Sequence, residues 1–358
     1  MKRSEVWTTI VTAALLSLPV MAAQSATGES AASKPYHEVE VAYDNAKGGI
    51  HLEGTLTIPD GKGPYPAVLL ITGTGPQDRD ETIGPLKPFA VIAEALARVG
   101  VASLRVDDRG AGKSTGNWIT ASYEGYGDDV RCGLACLKGR PDIDGRRIGL
   151  LGHSEGGSIA ALVASKSPDV AFVILLASRC IPAEEQLVKT NELMLRRAKV
   201  PDEKIAKDLE GVRTLCRVLR TASDPNELRK KLHEIMSGKP QSAQETEREV
   251  GMYCTAWAKD YMTFDVQPCL RALKVPVLGL WGSKDGLVPA EENAAGLRTC
   301  LAATNNPDSL IRILPDMNHV FQKCQTDDTA EFFKIQGCMF PEALKVITDW
   351  IAQHGCKK

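Results

Sequence analysis

Two stretches of alternating apolar and polar residues open the patterned part of the chain, at residues 37–43 and 50–58. A period of two is typical of strands with one buried face, so these stretches predict an antiparallel pair. Short, nearly continuous apolar runs follow, and they begin at Ala67, Val101, Arg147, Phe172, Pro276 and Leu310. Such runs predict strands that are buried on both faces of a parallel sheet.

Apolar residues at helical spacing separate several of these runs, for example in residues 89–99 and 155–165. Strands that alternate with helices predict an α/β protein, in which helices flank a mostly parallel sheet. The alternation stops once, between Ser178 and about Pro268, where the chain becomes highly charged. Apolar stripes recur there at helical spacing, namely Leu209, Val212, Leu215, Cys216 and Leu219, then Leu228, Leu232, Ile235 and Met236. We interpret this block as a helical insertion and expect its stripes to pack on the top edge of the sheet.

These patterns divide the chain into five segments. We predict a signal peptide over residues 1–23, a linker over 24–35, and the first part of the α/β core over 36–180. A helical cap insertion over 181–265 and the second part of the core over 266–358 complete the division.

The first residues have the layout of a secretory signal peptide. Lys2 and Arg3 precede an apolar stretch that reaches Leu18, and small residues follow at Ala22 and Ala23. A membrane anchor is the alternative, but the apolar stretch is interrupted by polar residues and is short for a span. We therefore expect export to the periplasm or the medium, without stable membrane insertion after cleavage. A lipid-anchored or uncleaved form stays open.

The composition is that of an ordinary globular protein. The chain has 358 residues, of which 43% are hydrophobic and 25% are charged, and its formal net charge is −2. This length is ample to bury a sizeable core. Because the balance of charge offers no basic surface, we expect no nucleic-acid partner.

Ten cysteines fit an oxidising compartment and make disulfide bonds plausible. Cys324 and Cys338 bracket the segment after His319, where a bridge between them would brace the loop. The pairing itself cannot be read from sequence. Cys132 and Cys136 lie four apart on a predicted helix, and we interpret them as small buried side chains. Their surroundings lack the spacing of a metal site, so we predict no metal.

The sequence GHSEGG at residues 152–157 stands directly between a predicted buried strand and a predicted helix. A serine at such a sharp turn is held in a strained backbone, and Gly152 and Gly156 leave room for it. The dipole and free amides of the following helix point toward a forming oxyanion. The pattern alone is weak, but in this context it predicts that Ser154 is a nucleophile.

A serine hydroxyl needs a base within hydrogen-bond reach, and the base needs an acid to hold its tautomer. His319 lies just beyond the last predicted strand, where a loop can return to Ser154. Asp285, at the end of the strand that starts at Pro276, is the candidate acid. Asp316 is the rival, but we expect it to shape the turn before His319. For the other histidines we expect surface or packing roles: His37, His51, His153, His233 and His354.

Two backbone amides are candidates for an oxyanion hole. The loop after the run at Ala67 contains Gly73-Thr74-Gly75, which allows close backbone approach. We predict that Thr74 N–H and Glu155 N–H are the donors. The alternative is that the glycines only form a turn.

Residues 107–115, DDRGAGKST, superficially resemble a phosphate-binding loop. Such a loop needs a glycine where Asp107 stands, so we reject that interpretation. We expect Asp107 and Asp108 to organise their own loop instead. Nothing else in the sequence indicates a metal, nucleotide or flavin, and we predict no cofactor.

The chain resembles the α/β-hydrolases, and within them the bacterial esterase and serine-aminopeptidase-like branch, over about residues 36–353. The resemblance rests on ITGTGPQDRD at residues 71–80, on residues 107–116, and on the segments around Ser154, Asp285 and His319. It implies the α/β-hydrolase fold with a helical cap insertion. It also implies that these three residues are the family's Ser-Asp-His triad.

The resemblance matches Thr74 and Glu155 to the family's oxyanion positions. One departure concerns this loop, since many relatives begin it with His-Gly and this chain has Thr72-Gly73. The departure bears on how the loop packs and leaves its amide donors in place. The family's cap shapes the substrate pocket, which implies that residues 181–262 set substrate choice here.

The function implied is an exported serine hydrolase that cleaves small or medium carboxylic esters through an acyl-enzyme on Ser154. An aminopeptidase-like enzyme would use the same triad and would need a carboxylate to hold the substrate's ammonium group, for which Asp78, Asp80, Glu81 and Glu155 are candidates. A thioesterase, a lipase acting at an interface and a non-catalytic binding protein on the same fold are further alternatives. The sequence leaves the acyl chain length, the leaving group and the oligomeric state undetermined.

Overall fold

The computed structural model describes residues 34–237, 241–304, 308–335, 337, 339 and 341–355. The predicted signal peptide and all but the last two residues of the predicted linker lie outside the described residues. Within the described ranges, no helix is long and apolar enough to cross a membrane.

One sheet of eight strands runs through the described chain in the order β1-β2-β4-β3-β5-β6-β7-β8. β1 pairs with β2, and β2 with β4, in antiparallel fashion, whereas the other neighbours are parallel. The antiparallel start and the mostly parallel sheet predicted from hydrophobic patterning are thereby confirmed. The strands are β1 Tyr36–Asn45, β2 Ile50–Pro59, β3 Tyr65–Ile71, β4 Ala102–Val106, β5 Ile143–His153, β6 Val173–Leu176, β7 Val277–Gly282 and β8 Leu310–Leu314.

Helices alternate with the parallel strands and cover both faces of the sheet. The α-helices of the core are α1 Pro88–Arg98, α2 Tyr123–Lys138, α3 Glu155–Ala164, α9 Gln267–Ala272, α10 Ala290–Ala302 and α11 Pro341–His354. Those between β6 and α9 are α4 Ala183–Arg197, α5 Asp202–Thr221, α6 Pro225–Met236, α7 Ala243–Tyr253 and α8 Ala256–Thr263.

Alternating side chains of each strand enter two separate cores. Leu150 of β5 packs on the face covered by α2, α3, α9 and α10. Its neighbour Leu151 packs on the opposite face, against α1 and α11. Both side chains are fully buried, and truncating either to alanine costs about 2–5 kcal/mol by the usual range for core leucines. This double burial explains why the central strands are continuous apolar runs rather than alternating ones.

Helices α4–α8, which we call the cap, form a core of their own. Leu215 and Leu219 of α5 and Leu232 of α6 are buried among apolar side chains of the other cap helices. The expectation that these stripes pack on the edge of the sheet is therefore wrong. Five helices suffice to bury one another's apolar faces, and the α/β core contributes Trp118 and Tyr126 at the border.

Side chains at the helix starts fix several cap boundaries. Asp224 accepts hydrogen bonds from Asn226 N and Glu227 N at the start of α6. Ser242 and Glu245 form a reciprocal capping box at the start of α7. These bonds satisfy backbone amides that have no partner within the helix, so the helices begin where the polar side chains stand.

Among the described residues no two cysteines are bonded to each other; these cysteines are Cys132, Cys136, Cys180, Cys216, Cys254, Cys269, Cys300 and Cys324. Cys338, the predicted partner of Cys324, lies outside the described residues, as does Cys356. The bridge between Cys324 and Cys338 stays a prediction.

Candidate active site

Ser154 occupies a sharp turn between β5 and α3. Its backbone has φ 53° and ψ −118°, in the region that non-glycine residues rarely adopt. The Ser154 N–H donates to the Leu176 carbonyl of the next strand over 2.8 Å. Strain of this kind persists only where the surrounding structure enforces it, and here the neighbouring strand does so.

The glycines around Ser154 are required by close backbone packing. A Cβ at Gly152 would overlap the backbone of Gly156. A Cβ at Gly156 would overlap the carbonyl oxygens of Ile71 and Thr72, which end β3 and start the oxyanion loop. We define the oxyanion loop as residues 72–82. The glycine spacing seen in the sequence therefore presses this loop against the serine turn.

Asp285 and His319 meet at the same edge of the sheet. Asp285 follows β7 and His319 follows β8, so the parallel strands deliver both to one end. His319 Nδ1 lies 2.8 Å from Asp285 Oδ2, and the Asp285 side chain is fully buried. The other oxygen of Asp285 accepts from the N–H groups of Leu287 and Val288, both over 2.9 Å. The carboxylate is thus held rigidly and in turn fixes the orientation of the imidazole.

Ser154 and His319 lie close together but are not joined by a hydrogen bond. Among the hydrogen bonds of the described residues, none joins the Ser154 hydroxyl to the His319 ring. The two are connected through His153, whose ring centroid lies 4.8 Å from that of His319. Contacts between nucleophile and base are often long before substrate binds, so this geometry is compatible with a catalytic pair.

Asp316 lies away from this arrangement. Its carboxylate is half exposed and forms an ion pair of 2.8 Å with Lys284. Its backbone has φ 57°, which fits the turn-shaping part expected for it. Asp285 is therefore the acid that contacts His319.

The candidate oxyanion donors stand on two elements that touch. Within the described part of the chain, Thr74 N–H and Glu155 N–H donate to no protein acceptor. Glu155 is the first residue of α3, where backbone amides have no intrahelical partner. Gln77 Nε2 donates to the Thr74 carbonyl over 3.0 Å, and Gly75 adopts φ 100°. The loop is thus bent so that two free amides are available near Ser154.

Asp107 and Asp108 hold the oxyanion loop in addition to their own. Asp107 pairs with Arg79 over 2.8 Å, and Arg79 N–H donates to it over 2.8 Å. Thr72 Oγ1 donates to Asp108, with 2.7 Å to the nearer carboxylate oxygen. Burial raises the pKa of Asp108 well above its ordinary value, although Thr72 and Gln77 oppose the rise. Lys113 N–H also donates to Asp107 over 3.2 Å, so Asp107 organises its own loop, as expected, and holds the oxyanion loop as well.

Thr72 stands where many relatives have the histidine of a His-Gly pair, and its contacts show how the oxyanion loop packs here. Its hydroxyl bonds to both oxygens of Asp108, at 2.8 and 2.7 Å, and its side chain is buried. Threonine at this position therefore packs the start of the oxyanion loop onto the end of β4. The Thr74 amide, two residues further along, remains free.

Glu155 also carries a side chain that faces the cap. Trp257 Nε1 of α8 donates to Glu155 Oε1 over 2.9 Å. Burial raises the pKa of Glu155, while hydrogen bonds with Tyr123, Thr74 and Trp257 and the charge of Arg179 act against the rise. The residue after the nucleophile is thus enclosed by polar groups from the core and the cap.

A cavity of about 70 Å³ adjoins the oxyanion loop on the side of α2 and α3. Gly73, Gly75 and Glu155 line it, together with mainly apolar side chains that include Tyr43 and Val130. Ser154 and His319 do not line this cavity, so it meets the site through the oxyanion loop. A water needs about 10–15 Å³ by this measure, so the cavity has room for about five groups of that size.

Two residues for which the sequence suggested other roles lie at the centre of the site. His153, expected to have a bland packing role, contacts Glu81 of the oxyanion loop over 2.8 Å and the His319 carbonyl over 3.0 Å. No sequence signal identifies this pair, because 72 residues separate Glu81 from His153. Among the described residues no cluster of three or more His, Cys, Asp and Glu side chains could hold a metal ion.

A mostly parallel eight-stranded sheet with helices on both faces, a strained serine turn after β5 and a histidine loop after β8 defines an α/β hydrolase. The chain belongs to the serine aminopeptidase S33 family, whose sequence model matches residues 86–322. The resemblance and the fold class expected from the sequence are confirmed.

Relatives with known names support the same family. Esterase EstD of Thermotoga maritima is 26% identical over 303 residues, which span 84% of this chain and 66% of that esterase, just under two thirds of its length. An esterase of Pyrococcus furiosus has a similar structure, with a TM-score of 0.57, 16% identity and coverage of 93% of this chain and 96% of the other. The α/β hydrolase GrgF from Penicillium sp. sh18 has a TM-score of 0.54 at 17% identity, over 90% and 100% of the two chains. At these identities the two structures show a common fold.

Proposed function

We propose that this protein hydrolyses carboxylic esters through an acyl-enzyme on Ser154, with His319 as the base and Asp285 as the orienting acid. The observation that carries the proposal is the 2.8 Å bond between buried Asp285 and His319 beside a strained serine turn. A carboxylate on Nδ1 leaves Nε2 of the imidazole to take a proton. The Asp285–His319 pair, with Ser154 on the adjoining turn, supports these three roles.

The reaction has two halves. Ser154 Oγ attacks the ester carbonyl while His319 Nε2 takes the hydroxyl proton, and the Thr74 and Glu155 amides stabilise the oxyanion. The intermediate collapses, the C–O bond to the alcohol breaks, and His319 returns its proton to the leaving alcohol. A water molecule then attacks the acyl-enzyme with His319 again as base, which releases the carboxylic acid and restores the Ser154 hydroxyl.

The acidic side chains that could bind the ammonium group of a peptide N-terminus already have partners within the protein. We therefore favour ester substrates over peptides. Asp80 pairs with Lys87 and Arg105, and Glu81 with His153. Asp78 accepts backbone hydrogen bonds within its own turn. Of the four acids considered for holding an ammonium group, Glu155 alone faces the cap, and it is already bonded to Trp257. The match to an esterase of Thermotoga maritima points the same way.

Short acyl groups fit the cavity beside the oxyanion loop. Its volume corresponds to about five groups of water size, which a chain of about five carbon atoms would fill. Leu52, Leu69 and Val130 on its walls would bury the apolar surface of such a chain, which is favourable, beside charged groups that include Asp108 and Arg109. We therefore propose short-chain esters as the preferred substrates, with the core cavity contributing to selectivity for the acyl group.

Fluorophosphonate labelling of the protein beside Ser154→Ala tests the nucleophile. We expect covalent labelling of the unaltered protein and none of the variant. The rates at which the protein that labels hydrolyses three substrate classes are then compared: acyl nitrophenyl esters, acyl thioesters and aminoacyl anilides. A clear preference for the anilides would replace the esterase proposal by an aminopeptidase, and a preference for thioesters by a thioesterase. Absence of labelling would favour a binding protein on the same fold.

We also propose that the protein is exported, on the strength of the leader pattern in residues 1–23. The test is expression of the full chain in a bacterium, separation of the periplasm, and N-terminal sequencing of the recovered protein. Export with cleavage predicts a new N-terminus at about residue 24 in the periplasmic fraction. Recovery of the full-length chain in the cytoplasm contradicts it.

A further inference from the structure

His153 bridges three segments of the active site. One ring nitrogen, Nδ1, lies 2.8 Å from Glu81 Oε1, and the other, Nε2, lies 3.0 Å from the His319 carbonyl oxygen. The same Glu81 oxygen accepts the Gly73 N–H over 2.6 Å. The oxyanion loop, the serine turn and the loop of the base are therefore joined through two side chains.

These contacts require a proton on each ring nitrogen of His153. A carbonyl oxygen only accepts, so Nε2 carries a hydrogen. Glu81 Oε1 already accepts from Gly73, as a carboxylate oxygen does, so Nδ1 is the donor to it. Burial lowers the pKa of His153, but the Glu81 carboxylate and the hydrogen bonds to Glu81 and the His319 carbonyl outweigh burial and raise it. His153 is thus an imidazolium paired with a carboxylate.

The apolar surroundings of Glu81 and His153 make the stability of this ion pair depend strongly on the charge of each partner. Phe89 and Ile92 of α1, with Val320 and Phe321 of the base loop, form an apolar lining around it. The ionisable groups that face His153 are Glu81, Asp285 and His319 itself, and the lining from α1 adds none. In such a medium an ion pair is strong, and loss of one charge leaves the other buried without compensation.

Glu81 combines a strained backbone with a buried, partly unsatisfied carboxylate, and both features cost free energy. Its backbone has φ 52°, and its side chain is 1% exposed. Its second oxygen, Oε2, is buried and has no hydrogen-bond partner among the described residues. Strained, buried and half-satisfied groups persist where other interactions enforce them, and they cluster at functional sites.

We propose that Glu81 and His153 are positioning residues that clamp the oxyanion loop to the loop of the base, and that loss of the His153 proton sets the alkaline limit of activity. The proposal rests on the proposed ester hydrolysis by Ser154. Gly73 immediately precedes the Thr74 amide donor, and the bonded carbonyl belongs to the base itself. When His153 loses its proton, one of its two donated bonds is lost, and either the Glu81 carboxylate, which holds Gly73, or the His319 carbonyl loses its anchor.

The direction of the pH effect follows from the raised pKa of His153. The charged form persists above the ordinary histidine value of about 6.5, and the clamp opens as the pH rises through the elevated value. Ester hydrolysis by a histidine base gains activity as that base becomes neutral. The proposal therefore predicts a falling alkaline limb that reports His153.

The pH profile of Glu81→Gln tests this assignment. Glutamine keeps an oxygen acceptor for Gly73 N–H and His153 but removes the charge. We expect the alkaline limb to move by about one to three pH units toward lower pH, which is the usual effect of one adjacent opposite charge. We expect kcat at the optimum to fall about 10- to 100-fold with little change in KM, as small misplacements of catalytic groups do. An alkaline limb that stays in place overturns the proposal.

Asp80→Asn is the matched control. It makes the same chemical change one residue away, on a carboxylate that pairs with Lys87 and Arg105 and does not touch His153. We expect its alkaline limb to coincide with that of the unaltered protein. An equal shift in both variants would mean that loop stability, and not the charge beside His153, moves the profile, and would also overturn the proposal.

Nitrogen NMR of histidine-labelled protein tests the charge without using activity. With the His153→Asn variant to identify the signal, we expect both His153 ring nitrogens to stay protonated as the pH rises past about 6.5, the ordinary histidine value. A neutral ring overturns the proposal even if ester hydrolysis is found. A charged ring in a protein that hydrolyses no ester keeps the clamp and removes the proposed function, so the two failures can be told apart.

Discussion

Trp257 Nε1 donates a hydrogen bond of 2.9 Å to Glu155 Oε1 and so joins the cap to the residue that follows the nucleophile. Trp257 belongs to α8 and stacks on Tyr261 of the same helix, with ring centroids 5.0 Å apart. Glu155 provides the candidate oxyanion amide at the start of α3. The position of the cap is therefore coupled to the geometry of the proposed oxyanion hole.

Trp257→Phe tests this coupling. Phenylalanine keeps an aromatic ring but loses the N–H that bonds to Glu155. We expect kcat/KM for short esters to fall about tenfold, because a hydrogen bond to a charged group contributes about 1.5 kcal/mol or more. Steady-state kinetics on a nitrophenyl ester measure the change. Trp118→Phe is the control, since Trp118 packs edge-on against Trp257 with centroids 4.9 Å apart. Equal losses in both variants would indicate a packing effect.

Asp285→Asn should remove most of the turnover. An amide in place of the carboxylate can stabilise the wrong tautomer of His319 and cannot balance the imidazolium that forms during attack. We expect kcat to fall about 10⁴-fold, the loss found when a buried triad acid becomes an amide. Asp316→Asn serves as the comparison, because its ion pair with Lys284 is exposed to solvent and contributes little to stability. A large loss in the Asp316 variant and a small one in the Asp285 variant would reverse the assignment of the acid.

Val130 variants examine the cavity beside the oxyanion loop. Val130 lies on α2, is 8% exposed and lines the cavity. Val130→Phe should fill the space and lower kcat/KM for a hexanoyl ester about tenfold relative to an acetyl ester, since one methylene changes selectivity by about 1–3 kcal/mol. Val130→Ala should shift the preference toward longer chains. Chain-length profiles that stay unchanged in both variants would place the acyl group elsewhere.

Thiol alkylation should distinguish the cysteines by burial. Burial raises the pKa of Cys216 to about 12 and that of Cys324 to about 11, and both side chains are buried, so the reactive thiolate is scarce at neutral pH. Cys254 is exposed. We expect iodoacetamide to modify Cys254 first in the native protein and the other two only after unfolding, as peptide mass mapping can show. If Cys324 stays unmodified in unfolded, unreduced protein, it is disulfide-bonded, as the bridge to Cys338 predicts.

The ends of the parallel strands were readable from sequence because hydrophobic periodicity is a local property. Runs that are nearly continuous in apolar residues identify β5, β7 and β8, and the residues that follow these strands must meet at one edge of the sheet. The meeting of strand ends brings Asp285 close to His319. The direct passage from β5 into α3 puts Ser154 on a sharp turn. The glycines at 152 and 156 add the requirement for close backbone packing.

Contacts between residues that are distant along the chain depend on the tertiary structure and could not be predicted from the sequence. Nothing local shows that Glu81 adopts a positive φ, or that its carboxylate meets His153 across 72 residues. The bond between Trp257 and Glu155 spans 102 residues. The apolar stripes of the cap showed that helices form but not which surface they bury, because periodicity defines a face without defining its partner. Sequence patterning thus determined the elements and the edge where the candidate triad gathers, whereas packing between distant segments decided how that site is clamped and covered.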